Sequence, residues 1–288
     1  MSTVYTRSSI GFGIALTLIA GCAPTPSSKV QDYKPVVREF ISQVNQANAE
    51  GAKPLVHADY IQHNPFIPTG RAGFLKLFPI LQQNNTQAET IRMFQDGDLV
   101  VMHNHWKNAT PFGAPQMVAF DVLRFDSEGL IAEHWDAMMP MTAPNPSGRT
   151  LIDGPTTVTD LDKTDENKAK VKALFKMLVT GDPEAMAGAI GEYFDPNYHQ
   201  HNPDAGDGVA GFVSAVQSGK LNFKADKQHK VLGEGNFVLS ISEGTHRGNP
   251  AVFYDLLRFD NGKIVEHWDV IQDIPTEGLA NTNTMFGF

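Results

Sequence analysis

Tyr60-Ile61-Gln62-His63-Asn64-Pro65 and Tyr198-His199-Gln200-His201-Asn202-Pro203 stand 138 residues apart, and this recurrence decides how the chain is organised. Gly73-Phe74 returns as Gly211-Phe212 at the same spacing. Further on, Phe120-Asp121-Val122-Leu123-Arg124-Phe125-Asp126 returns as Tyr254-Asp255-Leu256-Leu257-Arg258-Phe259-Asp260 after 134 residues. Glu133-His134-Trp135-Asp136 returns as Glu266-His267-Trp268-Asp269 after 133. Four collinear blocks with a slowly shrinking spacing mean a duplicated unit whose second copy has shorter connections. The unit is far longer than a solenoid repeat, so it is a domain.

Each copy reads in the same order. Val36, Val37, Phe40, Ile41 and Val44 share one helical face, as do Val171, Leu174, Phe175 and Leu178. Short helices are expected around 54–60 and 70–82, and in the second copy around 183–194 and 209–218. The apolar period then changes to two, which predicts strands at 88–94, 99–106, 116–125 and 130–137, repeated at 223–232, 237–245, 251–259 and 264–271. Helices followed by antiparallel strands give an α+β domain. The expected division is residues 32–139 for the first copy, a proline-rich linker at 140–164, and 165–288 for the second.

Ahead of the first copy, Arg7 precedes the apolar run from Ile10 to Ala20, too short for a comfortable membrane span. Ile19-Ala20-Gly21-Cys22 resembles a bacterial lipoprotein signal. That resemblance implies removal of residues 1–21, lipidation of Cys22, a tether at 22–31, and an exported, membrane-anchored protein on the periplasmic or cell-surface side. Cys22 is the only cysteine, so no intramolecular disulfide is possible. An ordinary signal peptide with a chance cysteine is the plainer alternative. The formal net charge of −9 argues against nucleic acid as a partner.

Both copies resemble the nuclear transport factor two-like fold, and in particular its SnoaL-like polyketide-cyclase and aldol-condensation branch. The residues that carry the likeness are Tyr-x-Gln-His-Asn-Pro, the Asp-x-Leu-Arg-Phe-Asp strand and Glu-His-Trp-Asp. The resemblance implies two tandem cones, each of three helices against a curved antiparallel sheet, with a pocket between. It also implies domains that pair through their convex sheets. An intrachain pseudo-dimer is therefore expected, with Trp135 and Trp268 facing outward into it. By the likeness to ketosteroid isomerases, Asp121 and Asp255 occupy the place of a protonated aspartic acid. His134, Asp136 and Met138 line the cavity, as do His267, Asp269 and Ile271. Asn64 and Asn202 stand where those isomerases keep a general-base aspartate, and Phe40 and Leu174 stand near their catalytic tyrosine. Steroid isomerisation itself is thus not expected.

The polar set of each pocket is then two carboxylates and two histidines: Asp121, His134, Asp136 and His63 in the first copy, Asp255, His267, Asp269 and His201 in the second. Two carboxylates ~4 Å apart at an effective dielectric near 20 repel by about 4 kcal/mol, roughly three pKa units. One would be protonated or paired with an imidazolium, which suits acid/base work on a small carbonyl compound without a cofactor. Asn64 and Asn202 are candidate substrate hydrogen-bonders, and so are His103 and His105, which the second copy replaces with Ile241 and Glu243. Were their strand face to point inward, His103 and His105 with His63 and His134 could hold zinc or iron. The spacing matches no metal signature, so no metal and no cofactor are expected. Against the catalytic reading stand a binding lipoprotein that holds a small apolar ligand, Asp and His that merely satisfy one another, and an Asn-Pro pair that only initiates a turn.

Overall fold

A computed structural model describes residues 1–4, 31–180 and 183–288. Residues 5–21 of the expected signal segment, Cys22 and all but the last residue of the expected tether lie outside the described residues. Among those described, no helix is long and apolar enough to cross a membrane.

The first copy opens with α1 (Lys34–Asn45), where Pro35 occupies the first turn and Val37, Phe40 and Val44 form the buried stripe. Short helices α2 (Ala49–Ala52), α3 (Arg71–Phe74) and α4 (Phe78–Asn84) follow around strand β1 (Val56–Gln62). Then come β2 (Gln87–Asp96), β3 (Leu99–Lys107), β4 (Gln116–Phe125) and β5 (Ile131–Pro140). The second copy runs α5 (Thr164–Thr180), α6 (Pro183–Tyr193), β6 (Phe194–Gln200) and α7 (Gly208–Gln217), then β7 (Phe223–Glu234), β8 (Phe237–His246), β9 (Asn249–Asp260) and β10 (Lys263–Asp273). The sheets are ordered β1-β5-β4-β3-β2 and β6-β10-β9-β8-β7. This is the α+β, nuclear transport factor two-like fold expected from the sequence, present twice.

Two elements differ from expectation, β1 and its counterpart β6, neither of which was expected as a strand. Residues 54–60 are not helical: a single 3₁₀ turn at Lys53–Leu55 hands over to β1, which pairs in parallel with β5. Pro54 can start a helical turn, but the alternation of buried Val56, Tyr60 and Gln62 with exposed neighbours carries the segment into the sheet. Each sheet therefore has five strands and one parallel edge.

The inner face of the first sheet packs Val100, Met102, Leu123 and Phe125 against Val37, Phe40, Phe74 and Phe78 of the helices. Its outer face is equally apolar, and Val101, Val118, Phe120, Val122 and Trp135 join Leu239, Ile241, Val252, Tyr254, Leu256 and Trp268 of the second copy in one core. The expected pseudo-dimer is thus formed within the chain. Trp135 is 1% exposed and Trp268 fully buried. Counterpart residues meet each other across a local two-fold axis: Phe120 stacks on Tyr254 with centroids 6.5 Å apart. Lys34 pairs with Glu234 at 2.7 Å, while its counterpart Lys168 pairs with Asp96. This reciprocity is the mark of an isologous interface.

The segments that leave β5 and β10 also cross to the opposite copy. After β5, Asn145 donates to the carbonyls of Gln200 and Ala205 at 2.6 and 2.9 Å, Thr150 O faces His201, and Leu151 enters the shared core. After β10, Asn281 donates to the carbonyls of Asn64 and Ile67 at 2.7 and 2.8 Å, Thr284 O faces His63, and Met285 enters that core.

Candidate active site

Strand alternation aims the chemistry. On β4, Asp121, Leu123 and Phe125 point to the helices while Phe120 and Val122 point to the second copy; on β5, His134 and Asp136 point in while Trp135 points out. Asp121 lies directly opposite Asp136 across the ladder, as Asp255 lies opposite Asp269. Neighbouring carboxylates of this kind repel one another, and the imidazole of His134 stands against the first of them.

His134 Nε2 is 2.9 Å from Asp121 Oδ1, and its Nδ1 is 3.1 Å from Gln62 Oε1. That Gln62 oxygen also accepts the Asn64 N–H, and its amide NH₂ donates to Tyr60 Oη, so the amide orientation is fixed. Both imidazole nitrogens therefore face acceptors. Burial works against the imidazolium, but the Asp121 hydrogen bond and the charges of Asp136 and Asp121 outweigh it and raise the His134 pKa. His267 repeats the pattern with Asp255 at 3.1 Å and Gln200 at 3.0 Å, and its pKa is raised by the same balance.

Asp136 Oδ2 accepts the Asn64 amide at 2.8 Å, while Oδ1 is buried without a hydrogen-bond partner among the described residues. Burial pushes its carboxyl up to about 6, opposed by the charge of His134 and supported by that of Asp121. Asp269 matches it: Asn202 on Oδ2 at 2.6 Å, an unpartnered Oδ1, and a carboxyl likewise raised by burial to about 6. Each cluster closes the polar end of an otherwise apolar cavity, of about 70 Å³ in the first copy and about 130 Å³ in the second.

The volume difference has a visible cause. Met102, Asn104 and Trp106 of β3 reach toward the first cavity, and register with β4 shows that Ser240, Ser242 and Gly244 stand in their places in the second. Asn104 also donates to Asp121 Oδ2 at 2.7 Å, so both oxygens of Asp121 are hydrogen-bonded. Met102→Ala is expected to widen the first cavity toward the size of the second at a cost of about 2–5 kcal/mol. Thermal melts and titration with a bulkier apolar ligand would check both parts.

Four expected pocket residues lie elsewhere. His63 and His201 are not in the cavities, because on β1 and β6 it is Gln62 with Asn64, and Gln200 with Asn202, that turn inward. His63 instead stacks on Trp135 at 4.6 Å and reaches Glu133 at 2.8 Å; His201 stacks on Trp268 at 4.7 Å and reaches Glu266 at 2.9 Å. His103 faces the second copy, stacked on Phe120 at 4.3 Å, and burial, Arg92 and His201 all lower its pKa. His105 shares that outward face and contacts Gln116 Oε1 at 2.8 Å. The four-histidine metal constellation is therefore not assembled. Gln62, Gln200 and Asn104 are the site residues the sequence did not single out.

The donor set available to a metal is Asp121, His134 and Asp136, with ligand atoms all within 4.8 Å, and its counterpart in the second copy. Most of those atoms already hydrogen-bond within the protein, and Asp136 Oδ1 is the free one.

Two α+β domains packed sheet to sheet, each closing a cavity over an Asp-His-Asp cluster, define a tandem pocket protein. The profile of the SnoaL-like domain matches residues 37–134 and again 171–267, and the chain belongs to that family. No curated protein matches the chain. Among solved structures, TsrD from Streptomyces laurentii is 19% identical over 36% of this chain and 86% of its own, with a TM-score of 0.33. IdmH, a candidate polyketide cyclase from Streptomyces antibioticus, is 22% identical over 38% of this chain and 92% of its own, at 0.32. An NTF2-like protein of unknown function from Cytophaga hutchinsonii is 18% identical over 39% and 96%, at 0.32.

Proposed function

We propose that each copy carries out cofactor-independent acid/base chemistry on a small carbonyl compound, of the aldol, cyclisation or isomerisation type. The observation that carries this reading is the unpartnered inner oxygen of Asp136, matched by Asp269, at the polar end of an apolar cavity. A carboxyl raised to about 6 is close to the pH at which a proton-transfer group works best. His134 and His267 are occupied at both nitrogens, so the structure favours them as positive charge beside a developing oxyanion rather than as the base. Asp136 or Asp269 then takes the proton next to the carbonyl and returns it at the end of the cycle.

The test is exchange of α-protons of an aryl methyl ketone for deuterium in D₂O, followed by NMR, together with titration of the aspartate carboxyls. Exchange above the buffer rate, with two carboxyls titrating near 6, is the expected result. Saturable binding of the ketone with no exchange and ordinary carboxyl titration would leave a binding lipoprotein as the function.

We also propose that the protein is exported and held on a membrane by lipid on Cys22, a reading supported by Ile19-Ala20-Gly21-Cys22. Cys22→Ser is expected to move it from the membrane to the soluble fraction and abolish incorporation of labelled palmitate; unchanged membrane recovery would refute the anchor.

A further inference from the structure

The crossed exit segments end on the loops that deliver Asn64 and Asn202. Asn281 Nδ2 donates to the carbonyls of Asn64 and Ile67, Asn283 Nδ2 to that of Gln62 at 2.8 Å, and the Ala280 N–H to that of Pro65 at 2.7 Å. In the other direction, Asn145 Nδ2 meets the carbonyls of Gln200 and Ala205 and, at 3.4 Å, Asn202. Asn145 and Asn281 also shape their own segments alike: each side-chain oxygen accepts the N–H two residues on, from Ser147 and Asn283.

The same clamp, in the same chemistry, is thus made twice and always on the opposite copy. A loop needs no carbonyl clamp from a partner merely to be a turn, since Asn64 Oδ1 already accepts the Phe66 N–H and Asn202 Oδ1 the Asp204 N–H. What the clamp adds is a fixed position for the neighbouring amide.

We propose that Asn281 and Asn145 are positioning residues exchanged between the copies: Asn281 holds the Asn64 amide on Asp136 of the first site, and Asn145 holds the Asn202 amide on Asp269 of the second. This rests on the reading of Asp136 and Asp269 as the proton-transfer groups. Each site is then complete only when the other copy is folded against it. The titratable groups coupled electrostatically to Asp136 are Asp121, His134, Tyr60 and His63, with Tyr254 from the second copy; those coupled to Asp269 are Asp255, His267, Asp204 and Tyr198.

The Asn64 hydrogen bond favours the charged form of Asp136, so losing it must raise that carboxyl further. Asn281→Asp in the full chain keeps the acceptor for the Asn283 N–H but removes the donors. The Asp136 titration midpoint, followed by carboxyl ¹³C NMR, is expected to rise by about one unit while that of Asp269 stays. Asn145→Asp should do the reverse. Should Asn281→Asp not fold, Asn281→Ser, which keeps one donor, is read in the same way. The side-chain amide resonance of Asn64 reports the clamp independently of any chemistry: it is expected to shift upfield and exchange faster in the variant. An unmoved Asn64 amide, or equal changes at both sites in either variant, would overturn the proposal. Ordinary carboxyl titration in the unmodified protein with a shifted Asn64 amide in the variant would instead overturn the acid/base reading and leave the clamp standing.

Discussion

Asp136→Asn combined with Asp269→Asn is expected to reduce deuterium exchange into the ketone by about 10²- to 10⁴-fold, the span of a positioned general base. The amide fills the same space and can still meet Asn64 and Asn202, so the fold should survive. Either single variant should leave the other cavity working, and because the cavities differ in size, the residual rate should depend on ketone bulk. His134→Ala with His267→Ala removes the positive charge and should lower the rate in the same range. The pH profile distinguishes the two roles. The basic form of Asp136 and Asp269 is gained as pH rises through about 6, and the imidazolium is lost as pH rises through its raised pKa. A rate that climbs from pH 5 to 7 and falls at higher pH is the expected shape; a flat profile over that range would contradict the assignment.

Glu266→Ala is the second large effect, and it falls on stability. Glu266 is fully buried, bonded to His201 at 2.9 Å and to Arg258 at 2.8 Å, beside a ring stack of His201 on Trp268. Arg92 of the first copy covers the other part of Trp268, 4.1 Å from its ring centroid. Removing the carboxylate leaves the buried His201 ring and the partly buried Arg258 guanidinium without their shared acceptor, which costs about 3–5 kcal/mol, or a fall in Tm of roughly 10 °C by differential scanning calorimetry. The sign of the pH dependence follows from burial and partners. Burial would raise the Glu266 and Glu133 carboxyls, but their hydrogen bonds to histidine and arginine hold both below the ordinary 4.5. Their stabilisation is present above that value and is lost as pH falls through the lower folded one. Asp136 and Asp269, raised to about 6, behave oppositely: their contribution is present below the unfolded value near 3.9 and is lost as pH rises through about 6. Glu266→Ala should therefore lose more stability at pH 7 than at pH 3.

How much of this the sequence discloses depends on parity along strands. Asp121, His134 and Asp136 are legible because the likeness to ketosteroid isomerases marks which positions line the cavity, and alternation then sends Trp135 to the opposite face. His103 and His105 are not, because residues 108–115 separate β3 from β4 and leave the register free; only the pairing of Met102 with Asp121 shows that Met102, Asn104 and Trp106 share the site's face. His63 is misplaced for a related reason. Reading 54–60 as a helix gave no alternation to count on, whereas in a strand Gln62 and Asn64 turn inward together and His63 must turn out. The exit segments are opaque to composition. Their prolines and polar residues look like a connection, and what makes them a clamp is two asparagine amides whose partners lie 55 or more residues away.

The crossing of those segments also bears on how such a chain came to be. A homodimer must place identical residues on both sides of its symmetry axis, so every change is made twice and a poor self-contact is paid for at once in both subunits. Joining the copies in one chain lifts that restriction. Phe120 can face Tyr254, and Met102 and Trp106 can line one cavity where Ser240 and Gly244 stand in the register of the other. The exchanged arms keep the two halves interdependent in folding even as their cavities are free to drift apart in what they admit.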